Sequence, residues 1–489
     1  MNISRSSFLK GLFSAFSTCA CGGRIFAAPP GWTPPKNPRL VFGAVSDTHL
    51  RTSANGKGRG KYWPDKYLVA AFKYFREQNV DAVVNCGDMA HRGQVLEQMF
   101  HAAAWRKVFP GNRAPDGHVV EKLFVNGNHD VDGSRYGDFV EKAFPNPEER
   151  AKRVLSTDMA GNWQRIWGEP YAPVWHKTVK GFHFFGRHFG VDEMELARLI
   201  RSKAKECGLQ TGKDPFFILS HMRSHKNLNR ALRPFKKAVG FFGHWHLSAA
   251  NWNNIYFFSS FPMIQVPSCE PRGCKGTGSA KRADKVEFEG GEALGAGRQG
   301  YVVRVYDDQL VISRREFGIG GSLGADWIMP LGAYEPHALS RDELKKHIGE
   351  PQFRDGASLT VAEGTMPPPP DRPEQPGKPA LRIDIPLADA NSASRVYGYD
   401  VVIAAAAPAG DAGTVAQDAP KLCKSVYAAG GNLPVGHEPN GGVTTLFVPK
   451  AQLPKGEQFI VAVRPVTSLG TAGKPIVSQY DRTMRQSGE

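Results

Sequence analysis

Apolar positions fall into two regimes along the chain. Residues 39–45, 81–85 and 122–125 are short apolar runs that read as buried strands. Between the first two, residues 65–78 put Leu68, Ala71, Phe72 and Phe75 on one face at helical spacing. Residues 94–109 and 192–205 read as further helices. Residues 182–185, 216–219, 238–242 and 255–258 read as further strands, and 301–305 with 310–313 as a closing hairpin. Such alternation predicts a sheet covered by helices on both faces. From residue 380 the period becomes two: 381–385, 399–403, 444–448 and 459–463 are short strands separated by turn residues, the pattern of a small β-sandwich over 380–489. The stretch 326–379 holds one short helical pattern, 340–347, and the run 367–370 of prolines, and it reads as a linker. A chain of 489 residues is long enough for two cores.

Residues 1–28 read as an export signal. Arg5 and Lys10 precede a modestly apolar stretch, 11–20, and small residues follow at Ala27 and Ala28. The segment 4–10 is similar to a twin-arginine leader with Ser6 in place of the second arginine. The expected location is therefore periplasmic or secreted. No run is long and apolar enough to span a bilayer, so no transmembrane anchor is expected. The net charge of +15, spread without a long basic run, suits anionic partners. Of seven cysteines, Cys269 and Cys274 are close enough for a small disulfide loop in an oxidising compartment, and Cys86 reads as a buried small hydrophobe.

Five motifs sit where predicted strands end, the place an α/β sheet puts its ligands. They are Asp47-Thr48-His49, Gly87-Asp88 with His91, Arg92 and Gly93 behind it, Gly127-Asn128-His129-Asp130, Ser220-His221, and Gly243-His244-Trp245-His246. Each offers oxygen or imidazole donors, and the glycines let the backbone turn sharply out of the strand. Taken singly, each has an ordinary explanation as a cap or turn residue. In this order, behind five strands, they are not ordinary.

The ordered set resembles the calcineurin-like metallophosphoesterases, over residues 39–315. The resemblance implies a four-layer αββα sandwich, here over 38–325, with two adjacent divalent metal ions at the carboxyl ends of its strands. One ion would be held by Asp47, His49, Asp88 and His246, the other by Asp88, Asn128, His221 and His244, with Asp88 bridging. Carboxylate, amide and imidazole donors without thiolate suit Mn, Fe, Zn or Co. The implied activity is hydrolysis of phosphodiesters or phosphomonoesters by metal-bound hydroxide. His129 would act on the leaving group, with Asp130 orienting its ring, and His91 and Arg92 lie beside the motifs as candidate substrate contacts. His91 stands where purple acid phosphatases carry a tyrosine ligand, and Asp130 stands where serine/threonine phosphatases typically carry glutamate, so the phosphodiesterase-type branch is the better likeness. Expected substrates are phosphorylated small molecules, nucleotides or phospholipid headgroups. A nuclease is admitted by the charge but not favoured, because no basic stripe with interleaved aromatics occurs. The remaining alternative is a non-catalytic envelope-binding protein with a structural metal site, against which His129 and Asp130 argue. The C-terminal sandwich is similar to fibronectin-type domains and is expected to be an accessory.

Overall fold

The alternating strands and helices build two sheets rather than one. The computed structural model describes residues 26–28, 32–53, 55, 65–131, 137–223, 226–257, 261–270, 297–332, 344–345, 348–368, 374–389, 395–406, 421–431, 433–434 and 436–483. In the first sheet, Leu40–Val45, Ala82–Asn85 and Glu121–Phe124 run parallel. Antiparallel strands Gln299–Val305, Gln309–Glu316 and Trp327–Pro330 extend it on the other side of Leu40–Val45. In the second, Phe182–Arg187, Phe216–Ser220, Ala238–Phe242 and Pro262–Gln265 run parallel, flanked by antiparallel Val174–Val179 and Ile255–Phe257.

The sheets face each other across an aromatic layer. Phe42 meets Phe184, Phe217 and Phe241 edge-on, with centroids 5.6, 5.4 and 5.5 Å away. The outer face of the first sheet is covered by the helices Asp65–Glu77 and Val95–Val108, through Phe72, Phe75 and Trp105. The helices Glu193–Glu206 and Lys226–Ala231 cover the second. Gly43 permits a close approach of helix to sheet, since a Cβ there would lie 2.5 Å from the Phe75 ring. The result is the four-layer αββα order.

The C-terminal part is all-β. A three-stranded sheet, Thr360–Met366, Lys378–Ile385 and Thr444–Pro449, shares one core with a four-stranded sheet, Lys421–Tyr427, Gly398–Ala405, Gln458–Val466 and Ile476–Asp481. Ile383, Val448, Tyr399, Val401, Phe459 and Val463 fill it.

The reading of 326–379 as a linker is corrected. Trp327–Pro330 is a strand of the first sheet, and Phe26–Ala27, within the segment read as a leader, pairs with it. Thr360–Met366 is an edge strand of the sandwich whose side chains are half-exposed or exposed, so it carried no apolar alternation to read. The rest of the leader (residues 1–25), most of the 340–347 helical pattern and Cys274 lie outside the described residues. Among the described residues, no helix is long and apolar enough to cross a membrane.

Trp327 is fully buried, with Trp252 at 5.4 Å and the Arg314 guanidinium 4.7 Å from its ring. Trp327→Ala is expected to cost about 3–5 kcal/mol, read as a lower denaturation midpoint in urea. A linker residue would cost almost nothing.

Candidate metal centre

Three motifs leave the first sheet and two leave the second, all at the carboxyl ends of parallel strands. Asp47 and His49 follow Leu40–Val45, Asp88 follows Ala82–Asn85, and Asn128 and His129 follow Glu121–Phe124. His221 follows Phe216–Ser220, and His244 and His246 follow Ala238–Phe242. Because the sheets face each other, the five loops meet at one edge. All seven residues named as ligands come together there.

They form two groups. Asp47 Oδ1 is 3.0 Å from His246 Nε2 and 3.9 Å from His49 Nε2, and the two imidazole nitrogens are 3.1 Å apart. In the other group, Asn128 Oδ1 is 2.9 Å from His221 Nε2 and 3.0 Å from His244 Nδ1. Asp88 Oδ2 reaches both groups, 3.2 Å from His221 Nε2 and 3.7 Å from His49 Nε2. The donor atoms of Asp47, His49 and His246, and those of Asp88, His221 and His244, each lie within 4.8 Å of one another. His221 is fixed from behind: its Nδ1–H donates to the Cys86 carbonyl at 2.8 Å, which leaves Nε2 for the cluster.

The backbone that delivers these groups is strained. Asp47, His49, Asp88, His244 and His246 all have left-handed φ values (49°, 43°, 53°, 74° and 53°). Such residues persist only where surrounding contacts hold them. Here the first two loops zip together: Asp47 N donates to Gly87 O, His49 N to Asp88 O and Leu50 N to Met89 O. The carboxylates cross-link the rest. His129 N donates to Asp88 Oδ1 at 2.8 Å, and His244 N to Asp47 Oδ2 at 3.0 Å. Gly87 and Gly127 let two loops touch main chain to main chain, since a Cβ on Gly127 would lie 2.4 Å from Asp88 N and one on Gly87 2.6 Å from Gly127 N.

Two buried carboxylates need compensating charge. Burial pushes the Asp47 carboxyl up, but His246 and His221 outweigh it and hold the group well below the usual range. Burial lowers His221, yet Asp88 raises it to about 9, and Asp47 likewise raises His246 against burial. His49 is held well below its ordinary value by burial and by His246, and His244 is lowered by burial and His221. The chain thus meets its own negative charges with protons on imidazoles. Divalent cations would take the place of those protons, and the mixed oxygen and nitrogen donor set, without thiolate, fits them.

His91 and Arg92 follow Asp88. The His91 ring stacks on His129 (5.5 Å, 21°), and its Nδ1 is 3.4 Å from His49 Nδ1, so it lies against two members of the cluster. Arg92 is half-buried, its main-chain N–H bonded to Glu97 Oε2 at 2.7 Å. The loop of 51–63 begins with Arg51, tied to Glu270, and its residues 54 and 56–63 lie outside the described residues.

Asp130 corrects an expectation. It was read as orienting the His129 ring, but His129 Nδ1 donates to the His91 carbonyl at 2.8 Å. The Asp130 carboxylate turns inward and accepts from Met89 N (3.2 Å), Ala90 N (2.7 Å) and Gly127 N (2.8 Å). It staples the Asp88 loop to the Asn128 loop. Burial and Asp88 raise its carboxyl to about 6. Three supporting residues were missed: Glu97, which receives Thr52, Arg92 and Gln94 N–H groups; Gln98, which donates to Asn126 and Asp130; and His188, whose Nδ1 accepts from Asn126 N at 2.9 Å. The signal for the first two was an acid and an amide on the buried face of the helix Val95–Val108.

Asp130→Ala would orphan three buried N–H groups. It should lower stability by at least about 2 kcal/mol and lower retained metal on dialysis, while a ring-orienting role would shift the pH–rate profile and leave stability unchanged. Burial pushes His188 down to about 3 from 6.5, so it is neutral in the fold. Its stabilisation is full above pH 6.5 and is lost as the pH falls towards 3, by up to about 1.4 kcal/mol per unit. Urea midpoints measured down this range should therefore fall more shallowly in His188→Asn.

The calcineurin-like phosphoesterase family model matches residues 40–248, a span that holds all seven residues. No curated protein gives a significant sequence match. Among solved structures, the chain is similar to a dimetal phosphatase from Danio rerio, at 12% identity over 60% of this chain and 100% of that one, TM-score 0.31. It is similar to a purple acid phosphatase from yellow lupin (Lupinus luteus) seeds, at 12% identity over 62% of this chain and 56% of that one, TM-score 0.37. A 5'-nucleotidase precursor from Thermus thermophilus aligns at 14% identity over 63% and 58% of the two chains, TM-score 0.28. Because the family match falls on the segment that carries the whole cluster, residues 40–248 form a calcineurin-like phosphoesterase domain, and the chain is a hydrolase of phosphoric esters.

Proposed function

We propose that the chain hydrolyses phosphodiesters, and phosphomonoesters less readily, at a centre of two divalent cations held by the seven-residue cluster. The observation that carries this reading is the reach of Asp88 Oδ2 to His221 Nε2 (3.2 Å) and His49 Nε2 (3.7 Å), one oxygen shared by both groups. Asp47, His49, Asp88 and His246 would hold one cation, and Asp88, Asn128, His221 and His244 the other. Cations there would acidify water and neutralise charge on the phosphoryl oxygens. Everything else is work for the chain's own side chains. The His91 carbonyl can only accept, so His129 Nδ1 carries its hydrogen and Nε2, 4.0 Å from Asp88 Oδ2, faces the cluster. Once Nε2 has taken up a proton from water, the imidazolium can pass it to a departing alkoxide and return to the Nδ1–H form.

The preference for a diester is supported by charge. Arg51, two residues past His49, is tied to Glu270, so part of its charge is already met, which favours a singly charged ester over a dianion. The leader pattern of residues 1–28 supports an exported setting, periplasmic or secreted.

Metal-stripped protein given Mn, Zn, Fe or Co in turn should hydrolyse chromogenic diesters faster than monoesters. His129→Asn should lower kcat by about 10²–10⁴-fold with both cations still bound, and Asp88→Asn should lose turnover and bound metal together. Two cations bound with no turnover on any ester would overturn the reading.

A further inference from the structure

The C-terminal sandwich reaches the loop that carries two of the seven residues. After His244 and His246 the chain runs through residues 247–254 before entering Ile255–Phe257. Part of this loop is fixed by the catalytic sheets: Ala249 N donates to Gln299 Oε1 at 2.7 Å, and Asn254 Nδ2 to Tyr301 OH at 3.1 Å. The rest is fixed from the other domain. Trp252 N donates to Ser468 Oγ at 3.0 Å, Asn253 Nδ2 to the Ser468 carbonyl at 2.9 Å, and Asn251 Nδ2 to Tyr397 OH at 3.2 Å. Leu247, the residue directly after His246, is buried among Tyr397, Tyr427 and Val466 of the sandwich, with Trp245 at the edge of the same cluster. Leu469 continues the seam into the core between the catalytic sheets, in the same cluster as Trp252 and Trp327.

We propose that Tyr397 and Ser468 of the C-terminal domain are positioning residues of the metal centre, holding the 247–254 loop so that His244 and His246 keep the geometry that ligation needs. The physical reason is strain. Both histidines are left-handed, at φ 74° and 53°, a strained conformation that persists only when the chain on both sides is held. On the N-terminal side, the strand Ala238–Phe242 holds it. On the C-terminal side, the sandwich supplies three hydrogen bonds from buried groups and the apolar seat of Leu247. A sandwich that served only as an accessory would have no need of polar groups buried against this loop.

This inference rests on the metal-centre reading, and the two can fail separately. The test titrates Mn(II) into the metal-free full-length protein by calorimetry. It compares the wild type with Tyr397→Phe/Ser468→Ala and with Val401→Ala, a fully buried sandwich-core position outside the seam. The double variant should bind Mn(II) about tenfold more weakly, as removing partners behind a ligand does, while Val401→Ala stays within about twofold despite its own loss of stability. Should the double variant not fold, Tyr397→Phe alone, which removes one hydroxyl, is read in its place and should still weaken binding measurably. Unchanged Mn(II) affinity in the folded seam variant, or an equal loss in Val401→Ala, would overturn the inference. A wild type that takes up no Mn(II) would instead overturn the metal-centre reading.

Discussion

Everything at this edge of the molecule depends on burying two carboxylates, Asp47 and Asp88, among imidazoles. An ionised carboxylate removed from water costs several kcal/mol unless hydrogen bonds and opposite charge meet it from all sides. No single loop can do that. Asp88 takes an N–H from His129 on the next loop and faces His221 on the other sheet, while Asp47 takes an N–H from His244, also on the other sheet. The two-sheet core is what makes those approaches simultaneous. Phe42, wedged between Phe184, Phe217 and Phe241, holds the strands whose ends carry the charges.

The same requirement explains the backbone. Strands end pointing away from the sheet, and side chains that must converge on one point have to turn back over the strand ends. Left-handed residues make that turn in one step, which is why five of the seven cluster residues adopt it. The strain is held by cross-loop hydrogen bonds, with Asp130 prominent among them. Stability is thereby concentrated where function needs rigidity.

Much of this was legible in the sequence because it is local. The helix read at 65–78 is Asp65–Glu77, and the strand read at 238–242 is Ala238–Phe242. All seven residues brought together were named from motifs at strand ends. What was not legible is relational. Whether Asp130 faces its neighbour His129 or the interior depends on where Met89 and Ala90 lie, some forty positions earlier. The split into two sheets depends on which strands pair, and apolar runs do not encode that. The edge strand Thr360–Met366 has no buried face to mark it. The seam between Leu247 and Val466 joins residues far apart in sequence, through side chains that look ordinary in both places.

The contact between Gly87 and Gly127 carries one more consequence. With no room for a Cβ on either residue, the gap between the Asp88 loop and the Asn128 loop is set by main chain against main chain. The Asp130 carboxylate ties the same two loops together from the interior. The spacing at the heart of the site is therefore set by the scaffold, and a side chain at either glycine would force the two loops apart. Variation in what this site accepts is then left to its rim, where His91 lies against His49 and His129.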